Sequence, residues 1–132
     1  MSIFIDTSAF YALLDRDDRN HKKAKEKWVE ILGRSPVLVT TNYILVETFA
    51  LLQSRLGLDA PRGFQENIFP ILKVEFITAE MHRAATAALL SAGRRRLSLV
   101  DCVSFEMMRD LGIRTALSFD MHFKEQGFDV IP

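Results

Sequence analysis

Apolar positions along this chain of 132 residues alternate between short continuous runs and stretches of helical period, and that alternation predicts the elements in order. The run at 2–6, with Ile3-Phe4-Ile5, predicts a first strand, and Asp6-Thr7-Ser8 behind it signals a helix start. Phe10, Leu13 and Leu14 continue at helical spacing until the polar stretch 15–20 breaks the pattern. Residues 21–32 predict an amphipathic helix with Ala24, Trp28, Ile31 and Leu32 on one face, and Gly33 is its expected stop. A buried strand is expected at 36–40, then a long helix capped by Thr41-Asn42, running to Leu56 and closed by Gly57. That helix is apolar nearly all round, so it needs cover on more than one side.

The second half repeats the alternation. A helix from Asp59-Ala60-Pro61 to Phe69-Pro70 precedes a strand at 72–77, and Thr78 starts an alanine-rich helix that ends near Gly93. After Arg94-Arg95-Arg96, Ser98 caps a helix to Gly112; a strand at 114–118, a short helix capped by Asp120 and a last strand at 128–131 complete the chain. Continuous apolar strands between helices predict a single three-layer α/β domain over residues 1–132, with a mostly parallel central sheet of five strands.

Composition narrows the setting. The 17 basic and 17 acidic side chains cancel, so any anion-binding face must be local. A single cysteine excludes an internal disulfide and suits a reducing compartment, no apolar run reaches membrane-spanning length, and no basic leader precedes Ile3. The expectation is a cytoplasmic protein without a membrane partner.

Against that background, four carboxylates stand out. Asp6 ends the first apolar run, Glu47 lies inside the long apolar helix, Asp101 is wedged between Leu99-Val100 and Cys102-Val103, and Asp120 follows Ala116-Leu117-Ser118-Phe119. A lone ionised carboxylate loses several kcal/mol on burial unless it finds a partner. Asp6 and Asp120 fall just past the carboxyl ends of predicted parallel strands, where open sheets bind ligands, and the start of the helix bearing Asp101 faces the same side. Glu47, about one and a half turns into its helix, has the longer side chain needed to reach back. Each acid alone has a plain structural alternative: helix caps for Asp6 and Asp120, a first-turn acid for Asp101, and pairing with Arg55 or Arg83 for Glu47. One cause for all four is a divalent cation. Two like charges about 5 Å apart repel by roughly 3 kcal/mol at an effective dielectric near 20, and a hard cation relieves this.

The residues Ile5-Asp6-Thr7-Ser8, Glu47, Leu99-Val100-Asp101 and Ser118-Phe119-Asp120-Met121-His122-Phe123, with Gly127-Phe128 behind them, resemble the motifs of PIN-domain ribonucleases, and most closely VapC-type toxins of toxin–antitoxin systems. The resemblance spans the whole chain. It implies an α/β/α PIN fold, metal-dependent hydrolysis of RNA phosphodiester bonds, and Asp6, Glu47, Asp101 and Asp120 as metal-binding and catalytic acids. It also implies a homodimer and a small antitoxin protein. Ser118 and Thr7 match hydroxyl positions beside the first and last acids. Oxygen-rich donors without paired Cys or His ligands favour Mg²⁺ or Mn²⁺ over zinc. Asp6 and Asp101 are expected as direct ligands, Asp120 as a direct or water-mediated one, and Glu47 as the group that orients or deprotonates the attacking water. Arg94, Arg95 and Arg96 are candidates for the RNA backbone, with a solvated loop as the alternative. His122 is a candidate phosphate contact or a purely structural residue. Two other phosphate chemistries fit poorly: a receiver domain needs paired acids after the first strand and a late lysine, and a haloacid-dehalogenase-type phosphatase needs an Asp where Ser8 stands. A non-catalytic PIN-fold binding module, or a stand-alone RNA-processing nuclease, is the alternative within the fold.

Overall fold

The computed structural model describes residues 1–132. Five strands, β1 (Ser2–Ile5), β2 (Val37–Thr41), β3 (Leu72–Glu75), β4 (Thr115–Leu117) and β5 (Asp129–Ile131), form one sheet in the order β3-β2-β1-β4-β5. Every pairing is parallel, with Phe4 opposite Val39 on one side and Ala116 on the other. The helices are α1 (Thr7–Leu14), α2 (His21–Arg34), α3 (Asn42–Leu56), α4 (Asp59–Asn67), α5 (Ala79–Ala92), α6 (Leu99–Leu111) and α7 (Met121–Glu125). Helices α1 to α4 pack among themselves and α5 packs on α6, as three-layer α/β/α order requires. The chain moves outward from β1 through β2 to β3 and returns across the sheet to β4. Because parallel crossovers are right-handed as a rule, this outward and return path puts the two helix groups on opposite faces.

The sheet is sealed by aromatic packing as well as aliphatic residues. Phe123, fully buried, meets Phe105 edge-on at 5.0 Å and lies 6.3 Å from Phe4. Phe64 stands edge-on to Phe10 at 5.0 Å on the other face. These contacts dock α7 and α4, two of the shorter flanking helices, onto the sheet.

Several expectations need correction. Helix α2 runs through Gly33 to Arg34 and stops at Ser35, which takes the left-handed conformation (φ 51°) just before Pro36. Glycine is tolerated inside a helix at about 1 kcal/mol, whereas a residue preceding proline is barred from continuing one. Leu32 is exposed at 42 %, off the buried face that Ala24 and Ile31 define. The segment after Asp59 breaks at Asn67 into a separate 3-10 turn, Phe69–Ile71. The core covers much of helix α3, burying Ile44, Thr48 and Leu52 and partly covering Tyr43, Leu45, Phe49 and Leu51, but it leaves Val46 71 % exposed. Glu75, whose sequence neighbours Val74, Phe76 and Ile77 are apolar, needs no such correction: it lies on edge strand β3 and pairs with Lys73 at 3.4 Å.

Candidate active site

Between β1 and β4 the chain direction switches: β1 leads away to β2, whereas β4 is reached from the far edge. Such a switch opens a crevice at the carboxyl ends of the strands. Asp6 and Asp120 follow the two strands that flank it. Asp6 leaves β1 with its backbone N–H still donated to the Leu117 carbonyl of β4 at 3.1 Å, so the first acid is stitched to the neighbouring strand. It then caps α1, where its Oδ2 accepts the Ser8 hydroxyl at 2.7 Å, the Ser118 hydroxyl at 3.1 Å and, more weakly, the Ser8 N–H at 3.4 Å.

Asp120 caps α7 by accepting the His122 N–H at 2.9 Å on Oδ1, and the same oxygen lies 2.6 Å from His122 Nδ1. Asp101 sits in the first turn of α6 and closes a capping box with Ser98. Its N–H donates to Ser98 Oγ at 3.0 Å, and its Oδ2 accepts the Ser98 N–H at 3.1 Å. His122 Nδ1 stands 3.8 Å from that Asp101 oxygen, so the imidazole spans the third and fourth acids. One ligand atom from each of Asp101, Asp120 and His122 lies within 4.8 Å of the others. Asp6, Asp101 and Asp120 are therefore all caps, and two of them, Asp101 and Asp120, also share a cluster with His122, while Asp6 feels both through their charges. Capping fixes the rotamers, and the strand ends bring the capped acids together.

Glu47 enters from the second turn of α3. It has no cationic partner: Arg55 lies over the Tyr11 ring at 5.2 Å, and Arg83 forms no ion pair. Its carboxyl is pushed above the ordinary range by burial, and the negative charges of Asp101 and Asp120 push it further; the nearby Thr7 hydroxyl acts in the opposite sense. Thr7 Oγ1 is buried and makes no hydrogen bond of good geometry, nor does Thr48 Oγ1 on α3. Burial raises Asp101 as well, with Asp120 adding to the rise and its Ser98 bond opposing it. Asp6 is raised to about 6 by burial, against hydrogen bonds from Ser8 and Ser118. Three carboxyls with raised proton affinity in one crevice mark uncompensated negative charge.

This donor set fits a hard divalent cation. Carboxylate oxygens dominate it, one imidazole stands beside them, and no lysine or arginine already neutralises the cluster. The tightest group is Asp101, Asp120 and His122, with Asp6 and Glu47 felt through their charges but outside it. His122 and Ser8 are the participants that sequence reasoning undervalued. The histidine two residues after a capping Asp was the available signal for one; the other stands in the motif Ile5-Asp6-Thr7-Ser8, where it reads only as part of a helix start. Of the arginines, Arg94 is held by both oxygens of Glu125 at 3.1 and 3.0 Å, while Arg95 and Arg96 are exposed without such a partner. A cavity of about 380 Å³ lined by Arg109, Arg114 and Phe128 lies at the other ends of β4 and β5, away from the acids.

The parallel five-stranded fold with an acidic crevice at its switch point defines a PIN-type nuclease domain, and the PIN domain family profile matches residues 3–129. The chain belongs to that family. It is 36% identical, over 127 residues, to the 23S rRNA-specific endonuclease VapC20 of Mycobacterium tuberculosis, a match covering 96% of this chain and 95% of the relative. The crystal structure of Mycobacterium tuberculosis VapC20, described as a sarcin–ricin loop cleaving toxin, superposes with a TM-score of 0.87 at 36% identity over 98% of this chain and 99% of that one. VapBC2 from Rickettsia felis, solved on a promoter DNA fragment, matches with a TM-score of 0.71 at 10% identity over 98% of this chain and 97% of that one. FitAcB from Neisseria gonorrhoeae matches equally well, at 0.71 and 10% identity, over 100% of this chain and 97% of that one. The two distant structures share the fold; the VapC20 match makes this chain a homologue of a PIN endonuclease of VapC type.

Proposed function

We propose that this chain is a Mg²⁺- or Mn²⁺-dependent endoribonuclease, the toxin of a toxin–antitoxin pair, and that it cuts a structured loop of ribosomal RNA. The observation that carries the reading is the convergence of Asp6, Glu47, Asp101 and Asp120 on one crevice, three of them with raised proton affinity and none with a lysine or arginine partner. Full-length similarity to VapC20 supports the substrate class, and the printed target of that relative, the sarcin–ricin loop of 23S rRNA, is the first RNA to test.

In this reading Asp101 and Asp120 hold the cation together with Asp6, and His122 keeps Asp120 oriented through its ring nitrogen at 2.6 Å. The cation supplies Lewis acidity toward the scissile phosphate and a water of lowered pKa. Glu47, whose carboxyl is already biased toward accepting a proton, takes the proton of the attacking water. Thr7, with an unspent hydroxyl next to Glu47, steadies that carboxylate. Arg95 and Arg96 bind the RNA backbone beside Asp101. The chain works in the cytoplasm, consistent with its single buried thiol. It acts as a homodimer, which accounts for the exposure of Val46 on α3, and a small antitoxin restrains it.

The test is cleavage of purified ribosomal RNA, with break points mapped by primer extension. A discrete cut that needs Mg²⁺ or Mn²⁺, stops in EDTA and is lost in Asp6→Asn and Asp101→Asn supports the proposal. Full activity in either variant, or equal activity in EDTA, rules out the assigned centre.

A further inference from the structure

Two serine hydroxyls converge on one oxygen of Asp6. Ser8 Oγ accepts the Phe119 N–H at 2.9 Å and donates to Asp6 Oδ2 at 2.7 Å. Ser118 Oγ accepts the Asp120 N–H at 2.9 Å and donates to the same Oδ2 at 3.1 Å. The proton count closes. Each hydroxyl has one hydrogen, which goes to Asp6, and each spends a lone pair on a main-chain N–H. The two Oγ atoms, 3.2 Å apart, then need no bond between themselves. Two parallel relays thus carry the polarity of consecutive N–H groups in the β4–α7 turn onto a single carboxylate oxygen. Every side-chain hydrogen bond that Asp6 accepts ends on Oδ2, and none reaches Oδ1.

We infer that Ser8 is a positioning residue of the nuclease centre: together with Ser118 it fixes Asp6 through Oδ2 and leaves Oδ1 as the oxygen that Asp6 offers to a divalent cation. Rotating the carboxylate out of its observed plane would break two charge-assisted hydrogen bonds at once, so one oxygen position is tied down and the other is presented before any cation arrives. Ser8 also ties the start of α1 to the turn behind β4, and that turn carries Asp120. Its hydroxyl is therefore a cross-strand spacer for the first and last acids. Partners that orient metal-binding groups commonly change metal affinity by about 10- to 100-fold when removed.

The inference rests on the metal-dependent reading, and the experiment separates the two. Mn²⁺ affinity is measured by calorimetry for the wild-type protein and for Asp6→Asn, Ser8→Ala and Ser8→Thr. In parallel, residue-resolved amide exchange is followed in EDTA. The expected result is Mn²⁺ binding that Asp6→Asn abolishes, that Ser8→Ala weakens by about tenfold and that Ser8→Thr, which keeps the hydroxyl, largely restores. Without metal, Ser8→Ala should speed exchange of the Phe119 amide more than that of Asp120, because only the first N–H loses its acceptor. Wild-type-like Mn²⁺ affinity in a folded Ser8→Ala overturns the inference and leaves the metal reading intact, even if Phe119 exchange accelerates. So does an equal loss in Ser8→Ala and Ser8→Thr, which would implicate packing rather than the hydroxyl. A wild-type protein that takes up no Mn²⁺ overturns both.

Discussion

Asp6 is nearly sealed, at 4 % exposure, and is raised to about 6, chiefly by burial. Its unfolded reference is 3.8, so the folded state binds the proton more tightly than the unfolded chain does. Stability from such a group is fully present below pH 3.8 and is lost as the pH rises through about 6. Asp101 and Glu47, raised for the same reason, act with the same sign. Asp15 and Glu30 shift the other way, but they titrate below their ordinary 3.8 and 4.5 and stay ionised throughout the window. Metal-free protein should therefore melt at lower temperature at pH 7.5 than at pH 5. The Asp6 contribution has an upper bound of about 3 kcal/mol. Asp6→Asn should flatten the slope, a comparison that sets aside the histidines common to both proteins. Mn²⁺ should raise the melting temperature most at the higher pH, because it favours the ionised acids. A melting temperature in EDTA that rises from pH 5 to pH 7.5 as steeply in wild type as in Asp6→Asn would contradict this origin. The acids themselves were legible because a carboxylate in an apolar run is costly to leave unexplained. Among their hydrogen-bond partners Ser118 and Ser98 were legible too, but the bond from Ser8 was not, because a serine two residues after an Asp reads equally well as an ordinary helix start.

Helix α6 shows how an element presents a functional group. Ser98 caps it, and Asp101 at the third position returns a bond to the cap, so one box both starts the helix and holds the acid. Ser98→Ala removes the hydroxyl that receives the Asp101 N–H. The expected loss is about 1 kcal/mol, or roughly 3–5 °C in melting temperature for a domain of this size. Ser98→Thr should retain most of it. Because Asp101 is fixed at the same point, Ser98→Ala should also weaken Mn²⁺ binding; a melting curve and titration isotherm both superimposable on wild type would disprove the dual role. Helix starts like this were readable in advance: Thr41, Thr78, Ser98 and Asp120 all cap where the sequence places them. Stops were less so. Gly33 was the obvious end of α2, yet the left-handed residue is Ser35, because Pro36 dictates the break from beyond the helix. Likewise the apolar composition of α3 said that much of it wants cover, but composition carries no phase: Ile44, Thr48 and Leu52 are buried, Tyr43, Leu45, Phe49 and Leu51 are partly covered against the core, and Val46 is left exposed.

At the scale of the molecule, charge balance conceals an uneven distribution. The 17 acids equal the 17 bases, and four of the acids converge on one crevice, so the remaining surface is net basic. An RNA substrate must thread its phosphates past that surface to reach an acidic centre, and cations adjoining the crevice decide its affinity. Three arginines precede α6, but their roles differ. Arg94 is held bidentate by Glu125 and links the loop before α6 to the helix that carries His122; Arg95 and Arg96 are exposed and have no carboxylate partner. Each phosphate contact on single-stranded RNA contributes about 0.7 to the slope of log affinity against log salt. Replacing Arg95 and Arg96 together by alanine should therefore weaken binding of a catalytically silenced Asp101→Asn protein to an RNA loop and reduce that slope by about 1.4. Arg94→Ala should leave the slope nearly unchanged, because its guanidinium is already neutralised. Its Glu125 pair is largely solvent-exposed, so the stability change should stay within about 1 kcal/mol. Fluorescence anisotropy across a salt series measures all three. If Arg94→Ala flattens the slope as much as the double substitution does, the guanidinium leaves Glu125 for phosphate and the division among the three arginines fails. If neither changes it, the loop does not touch the RNA and the cations that do must lie on another flank of the crevice.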